Sequence, residues 1–142
     1  MMASTADAEI VLKLYQLRTE ETLRKARKYV LFEFHPATYA ELRAVQTEIG
    51  SEHNAFYRQV MSYWEMAASL VLHGAVDADL FLDTNGEGVA LRAKLEPFQE
   101  EHEKTTGTRM MVKTGKLVEQ YPAAQRIFEA GLKRNAARVV KA

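Results

Sequence analysis

The longest regular pattern of apolar residues in this chain extends from Ser51 to Gly74 and contains the only tryptophan. Ser51 is a favourable N-cap, Glu52 lies in the first turn where the helix dipole favours an anion, and Gly74 suits the position after the last turn. The apolar positions are Phe56, Tyr57, Val60, Met61, Tyr63, Trp64, Ala67, Ala68, Leu70, Val71 and Leu72. They cover roughly 200° of the helix surface, about twice what a surface helix buries. The pattern predicts a central helix over residues 51–74 with neighbours on several sides.

The rest of the chain also follows helical spacing, and no stretch alternates polar and apolar residues as a strand does. Ser4 and Asp7 fit a capping box at the start of the first helix, and Pro97 predicts a kink or a division near Glu96. Besides a short helix after Asp77 and a weak pattern over 109–120, the predicted helices cover about residues 5–17, 19–34, 37–49, 51–74, 89–104 and 122–140. Residues 5–34 fit one bent helix or two separate helices. The sequence therefore predicts an all-α fold, a single-domain irregular bundle of about six to seven helices over residues 1–142.

Composition is typical of a soluble globular protein, with 47% apolar and 27% charged residues in a chain of 142. The longest weakly polar run, Met66 to Leu72, is far shorter than the roughly 20 residues of a membrane span. The N-terminus has neither the basic region nor the apolar region of a signal peptide. Because the chain contains no cysteine, disulfides, thiol catalysis and cysteine-based zinc sites are excluded. We expect a cytoplasmic protein without a membrane span.

Charge is balanced over the whole chain but divided unevenly along it, and a net charge of zero argues against a dedicated nucleic-acid binder. Residues 76–103 hold eight acids and two bases, a net charge of −6, whereas residues 104–142 hold nine bases and two acids, a net charge of +7. One interpretation is that the two segments are neighbours in the fold and partly neutralise each other. The other is that the basic C-terminal region binds an anionic partner, either nucleic acid or acidic lipid.

Motifs that carry known chemistry are missing from the sequence. The Glu-x-x-His pairs of metal-binding bundles do not occur, and the four histidines lack the spacing of a zinc protease. The glycines near Asn85 lack the Lys-Ser/Thr of a phosphate loop, and Gly-x-Ser-x-Gly is absent. We therefore predict no catalytic residue, no metal site and no cofactor.

The polar stripe of the central helix is the best remaining candidate for a site. Arg58, Glu65 and His73 are about two turns apart and share one face within about 80°. If neighbouring helices close over this face, Glu65 becomes a partly buried carboxylate with a shifted pKa, as is common at functional sites. The alternative is a solvent-filled seam, or an ion pair between Glu65 and a base on another helix.

A family resemblance is carried by short runs of residues in the first half of the chain. The runs are Leu17-Arg18-Thr19, Ala26-Arg27-Lys28-Tyr29-Val30, Tyr63-Trp64-Glu65, Leu72-His73-Gly74-Ala75-Val76-Asp77 and Asp79-Leu80. With these runs, residues 8–140 resemble an uncharacterised family of bacterial helical domains, many of which follow an N-terminal membrane helix that this sequence is expected to lack. The family has no assigned activity. The resemblance implies an all-helical bacterial domain that interacts with other proteins.

Three hypotheses about function follow from these observations. The first is a cytoplasmic protein-interaction module without catalytic activity, with an unknown protein partner or a second copy in a homodimer. The second is a small-ligand-binding protein or enzyme that uses a pocket between helices lined by Arg58, Glu65 and His73. The third is the binding of nucleic acid or lipid by the basic C-terminal region.

Overall fold

The computed structural model describes residues 2–141, and it describes side chains as far as Arg138. All regular structure among these residues is helical, which confirms the predicted all-α class. A π-helical turn, Tyr29–Glu33, continues α2, and a 3₁₀ turn, Glu96–Phe98, joins α6 to α7. No described helix combines the length and the apolar character that crossing a bilayer requires. The α-helices are α1 Thr5–Arg18, α2 Glu21–Lys28, α3 Tyr39–Thr47, α4 Glu52–Leu72, α5 Ala78–Thr84, α6 Glu87–Leu95, α7 Gln99–Thr106, α8 Val112–Gln120 and α9 Pro122–Lys141.

α4 is the central helix of the fold, because α2, α3, α6, α8 and the π-helical turn all pack against it. Its ends are those that the sequence predicts. Ser51 Oγ accepts the backbone N–H of Asn54 at 3.1 Å, and Gly74 follows the last turn at φ +77°. Trp64 is almost fully buried against α6, where a Cβ on Gly88 would lie only 3.0 Å from the Trp64 side chain. The glycine therefore lets α6 approach the tryptophan closely.

One face of α4 stays open to solvent, as the width of its apolar surface predicts. The side chains of Arg58, Ser62, Met66 and His73 are exposed along this face. The opposite face contributes to the hydrophobic core its buried residues Tyr57, Val60, Tyr63, Trp64, Ala67, Ala68 and Val71. The open face is where any contact with another molecule along α4 has to be made.

Residues 5–34 form two helices and a π-helical turn, which decides between the two predicted arrangements. α1 begins with the predicted capping box of Ser4 and Asp7 and ends at Arg18. The α2 helix is capped by Glu20, whose carboxylate accepts the backbone N–H groups of Thr22 and Leu23, each at 3.0 Å. Glu20 caps α2 in place of the predicted Thr19, because Thr19 is the C-cap of α1 and donates its hydroxyl to the carbonyl oxygen of Gln16 at 2.8 Å.

The acidic and basic segments of the sequence are neighbours in the fold, because α9 packs along α6 and α8 lies beside both. The two helices α6 and α9 approach each other closely at Gly131, where an added Cβ would lie 2.8 Å from the Ala93 Cβ. Arg109 and Glu103 form an ion pair between the two segments at 2.8 Å. Pro97 lies in the 3₁₀ turn and divides α6 from α7 near Glu96, as predicted.

Candidate functional site

Glu65, the predicted site carboxylate, caps the N-terminus of α8. Its Oε1 accepts the backbone N–H of Lys113 at 3.0 Å, and its Oε2 accepts the backbone N–H and the hydroxyl of Thr114 at 2.8 and 2.7 Å. Met111, which precedes α8, has φ +52° and provides no side-chain cap. A carboxylate from α4 therefore takes the place of the missing local N-cap and meets the positive end of the helix dipole.

Arg58 and His73 have surroundings different from those of Glu65. Arg58 is exposed on the open face of α4. The ring of His73, at the C-terminal end of α4, contacts the carbonyl oxygen of Ser69 through Nδ1 at 2.9 Å. Binding of a ligand by Arg58, Glu65 and His73 together stays a prediction. Such binding requires the carboxylate of Glu65 to contact the ligand while it also caps α8.

A half-buried charge network that the sequence did not reveal joins α2, α4 and α6. Arg27 donates from Nε and Nη2 to the carboxylate of Glu87, with the shortest distance 2.7 Å, and Trp64 Nε1 donates to Glu87 Oε2 at 2.9 Å. The Arg27 and Glu87 side chains are only 26% and 15% exposed. The hydrogen bond with Glu87 raises the pKa of Arg27. A bidentate pair that also receives an indole N–H fixes the orientation of three helices.

Arg18 and Tyr63 connect α1 to the Trp64 end of this network. The guanidinium of Arg18 lies 5.5 Å from the ring centre of Trp64, within the range of a cation–π contact. The Tyr63 hydroxyl donates to the carbonyl oxygen of Leu14 at 2.5 Å, and burial raises the pKa of Tyr63 to about 12. Arg18, Trp64 and Tyr63 belong to the runs that carry the family resemblance, and in the structure they hold helices together.

Lys94 holds the end of the π-helical turn. Its ammonium group donates to the carbonyl oxygens of Val30, at 2.7 Å, and of Phe34. The π-helical hydrogen bond itself runs from Phe34 N–H to the carbonyl of Tyr29 at 2.8 Å. Burial, with a smaller contribution from Arg138, lowers the pKa of Lys94 from 10.5 to about 8.

The depressed pKa of Lys94 predicts a rise in stability with pH. Between about pH 8 and 10.5 the unfolded state keeps the Lys94 proton while the folded state releases it. The free energy of unfolding of the wild type, measured relative to Lys94→Met by urea denaturation, should therefore increase over this interval and be constant below it. A difference between the two proteins that stays flat or falls over the interval would contradict the depressed pKa.

A surface groove lies between α1 and α4, with a cavity volume of about 500 Å³. A second cavity of about 470 Å³ shares Leu17 and Met66 with the first and continues past the start of α2. We refer to the two together as the α1/α4 groove. Its lining residues are Ala6, Glu9, Ile10, Lys13, Leu14, Leu17, Glu20, Leu23, Gln59, Ser62, Tyr63, Met66 and Leu70. Most of them are apolar, so the groove suits an apolar surface more than a charged ligand.

Large apolar side chains are exposed at the groove and on the far side of α1. In the groove, Leu17 and Met66 are 41% and 46% exposed, and Leu12 and Tyr15 elsewhere on α1 are 67% and 60% exposed. A helix with apolar residues all round is usually buried on all sides. α1 thus has more apolar surface than the fold of one chain covers.

The basic C-terminal region presents exposed cations on the last two helices, including Lys116 on α8 and Arg126, Lys133 and Arg134 on α9. Because α9 packs on the acidic α6, the arrangement fits the first interpretation of the charge pattern, in which the two segments are neighbours. Binding of an anionic partner by this region stays a prediction. Among the residues that the structure describes, no cluster of His, Asp and Glu has the grouping that a metal ion needs.

The features above define an all-α domain that is built around α4 and carries an open apolar groove. The chain belongs to the family described as Domain of unknown function (DUF4760), whose model matches residues 3–121. The match confirms the resemblance to an uncharacterised family. Neither the curated proteins nor the solved structures searched gave a match. The matched range contains α1 to α8, and therefore the whole groove and the Glu87 network, and it ends at Tyr121 before α9.

Proposed function

We propose that this chain is a protein-interaction module whose α1/α4 groove docks an apolar surface of another protein chain. The observation that carries the proposal is the exposure of Leu17 and Met66 on opposite walls of one apolar groove. As part of the proposal, the protein is bacterial, as the family resemblance implies, and cytoplasmic, as its composition leads us to expect.

Burial of the groove supplies the free energy of docking. Each apolar side chain that a partner covers contributes roughly 25 cal/mol per Å² of surface removed from water. The first cavity follows α1, a helix about 21 Å long at 1.5 Å per residue, and the second continues past the end of α1 between α2 and α4. An elongated apolar groove of this kind matches the shape of a helix laid along it.

Polar groups in the groove favour a protein over a small polar ligand. A small-molecule pocket encloses its ligand and directs several polar groups at it. Here the carboxylate of Glu20, at one end of the groove, is already bound to the backbone of α2. Glu9 and Lys13 are exposed at its edge. Apolar walls with charges at the margin resemble the core and rim of a protein interface.

Oxidation of Met66 by hydrogen peroxide tests whether the groove is covered. Met2 is 95% exposed and lies outside the groove, so it is an internal control in the same chain. In dilute purified protein both methionines should oxidise, whereas in an extract of the cells that express the chain Met66 should be protected relative to Met2. Peptide mass spectrometry measures the ratio of the two sulfoxides. An unchanged ratio in dilute protein and in extract would contradict docking at the groove.

A further inference from the structure

Charged residues at the edge of the groove are arranged so that they complement themselves. Glu9 and Lys13 lie one turn apart on the groove side of α1, and both are exposed. Their separation suits a pair within the helix, yet the ion pairs formed by the described residues do not include them. Glu9 and Lys13 lie on either side of the middle of α1. When a second α1 helix is turned end to end, its base therefore lies opposite the acid of the first helix, and its acid lies opposite the base.

The apolar residues on this side of α1 have the spacing of a helix–helix seam. Ala6, Ile10, Lys13 and Leu17 are separated by four, three and four residues, the alternation that lets one helix pack along another. Lys13 contributes its aliphatic stem to such a seam while its ammonium group reaches the edge. The seam extends along nearly the whole of α1 and ends beside Met66 of α4.

We propose that the occupant of the α1/α4 groove is a second copy of this chain, with the two α1 helices antiparallel about a two-fold axis near Val11 and Leu12. In this register Ala6 faces Leu17 of the other copy, and the Lys13 stem faces Ile10. Each Lys13 ammonium group then pairs with Glu9 of the other copy, and a two-fold axis forms every such pair twice. This inference rests on the proposed function, because it names the partner that the groove docks.

Charge complementarity selects the antiparallel arrangement and the second copy. In a parallel pair Lys13, at a position of the seam, would face Lys13 of the other copy, and like charges in contact across an interface are costly. Along α1 the edge carries one acid and one base, and the third charged residue of the groove, Glu20, is already bound to the backbone of α2. The edge of α1 therefore has no net charge with which to select an acidic or a basic partner. The same chain turned end to end satisfies both charges.

Charge reversal at the two positions tests the register. In Glu9→Lys, a lysine faces Lys13 of the other copy, and in Lys13→Glu an acid faces Glu9, so each variant should dimerise about tenfold more weakly or worse. The double variant E9K/K13E restores opposite charges and should dimerise like the wild type. An equimolar mixture of the two single variants should form a heterodimer, because each carries the charge that the other requires.

Sedimentation velocity of the full chain over a wide range of concentration measures these dimers. The control is E21K/K25E on α2, which reverses an exposed pair at the same i, i+4 spacing outside the groove, and it should leave dimerisation unchanged. Circular dichroism checks that the helices of every variant are retained.

Three results would overturn the proposed dimer. One is a wild-type chain that stays monomeric at all concentrations. This result excludes a second copy as the occupant of the groove, and the Met66 oxidation test then decides whether a different protein docks there. Another is a dimer that the single reversals do not weaken, and the last is a pair of single variants that do not associate with each other. Protection of Met66 in extract together with a monomeric purified chain would thus separate failure of this inference from failure of the proposed function.

Discussion

Replacing Glu87 with alanine should lower the free energy of unfolding by about 3 kcal/mol. The substitution leaves the guanidinium of Arg27 without its carboxylate in a half-buried site and removes the acceptor of the Trp64 indole N–H. An uncompensated buried charge and an unsatisfied buried donor are each costly, because the folded state cannot replace the lost partner with water. Urea denaturation of the two proteins measures the change.

Two further variants separate the charge at Glu87 from its hydrogen bonds. Glu87→Gln keeps an oxygen for Trp64 and removes the charge opposite Arg27, so its loss should be about half that of the alanine variant. Glu21→Ala removes a carboxylate from the exposed ion pair with Lys25 and should cause no measurable change. Equal losses from Glu87→Ala and Glu21→Ala would show that the network does not stabilise the fold.

Replacing Glu65 with alanine should cost about 2 kcal/mol of stability, because α8 then begins without a cap. The change removes the acceptor for two backbone N–H groups, those of Lys113 and Thr114, and for the Thr114 hydroxyl. Thr114 is buried, so water does not readily replace the carboxylate there.

The location of the damage distinguishes loss of a cap from loss of a ligand site. In Glu65→Ala the amides of Lys113 and Thr114 should exchange with deuterium faster than in the wild type, while the amides of α6 keep their protection. Thr114→Val removes only the hydroxyl bond and should show a smaller loss, and in the double variant with Glu65→Ala the two losses should not add. A fully stable Glu65→Ala protein with unchanged exchange at α8 would contradict the capping role.

Local signals along the chain were sufficient to predict most of the helices and several of their ends, although α2 is capped by Glu20 and not by Thr19, and α6 begins at Glu87. Ser51 and Gly74 mark the ends of α4, and Ser4 with Asp7 marks the start of α1, since caps act over three or four residues and are visible in the sequence. Pro97 similarly marks the division between α6 and α7. The width of the apolar surface on α4 predicted its central position, because burial on several sides requires apolar residues on several sides.

Contacts between distant residues could not be predicted in the same way. Arg27 and Glu87 are 60 residues apart, and Glu87 lies just before the predicted helix 89–104 although α6 begins with it, so nothing local distinguishes it from the other acids of its segment. Glu65 was recognised as a candidate carboxylate, but its partner is the start of a helix 48 residues later. The α1/α4 groove depends on which face of α1 the rest of the chain leaves uncovered, and that is a property of the packed fold.

Photo-crosslinking from the groove is the most direct measurement of whether it docks another protein chain. Met66 in the groove and Val112 at the start of α8 are 46% and 47% exposed, so benzoylphenylalanine at either position presents a probe of matched accessibility. In cells that express the full chain, the docking proposal predicts that the probe at Met66 gives a discrete protein adduct, identified by mass spectrometry, that the probe at Val112 does not. No adduct from Met66, or the same adducts from both positions, would contradict it.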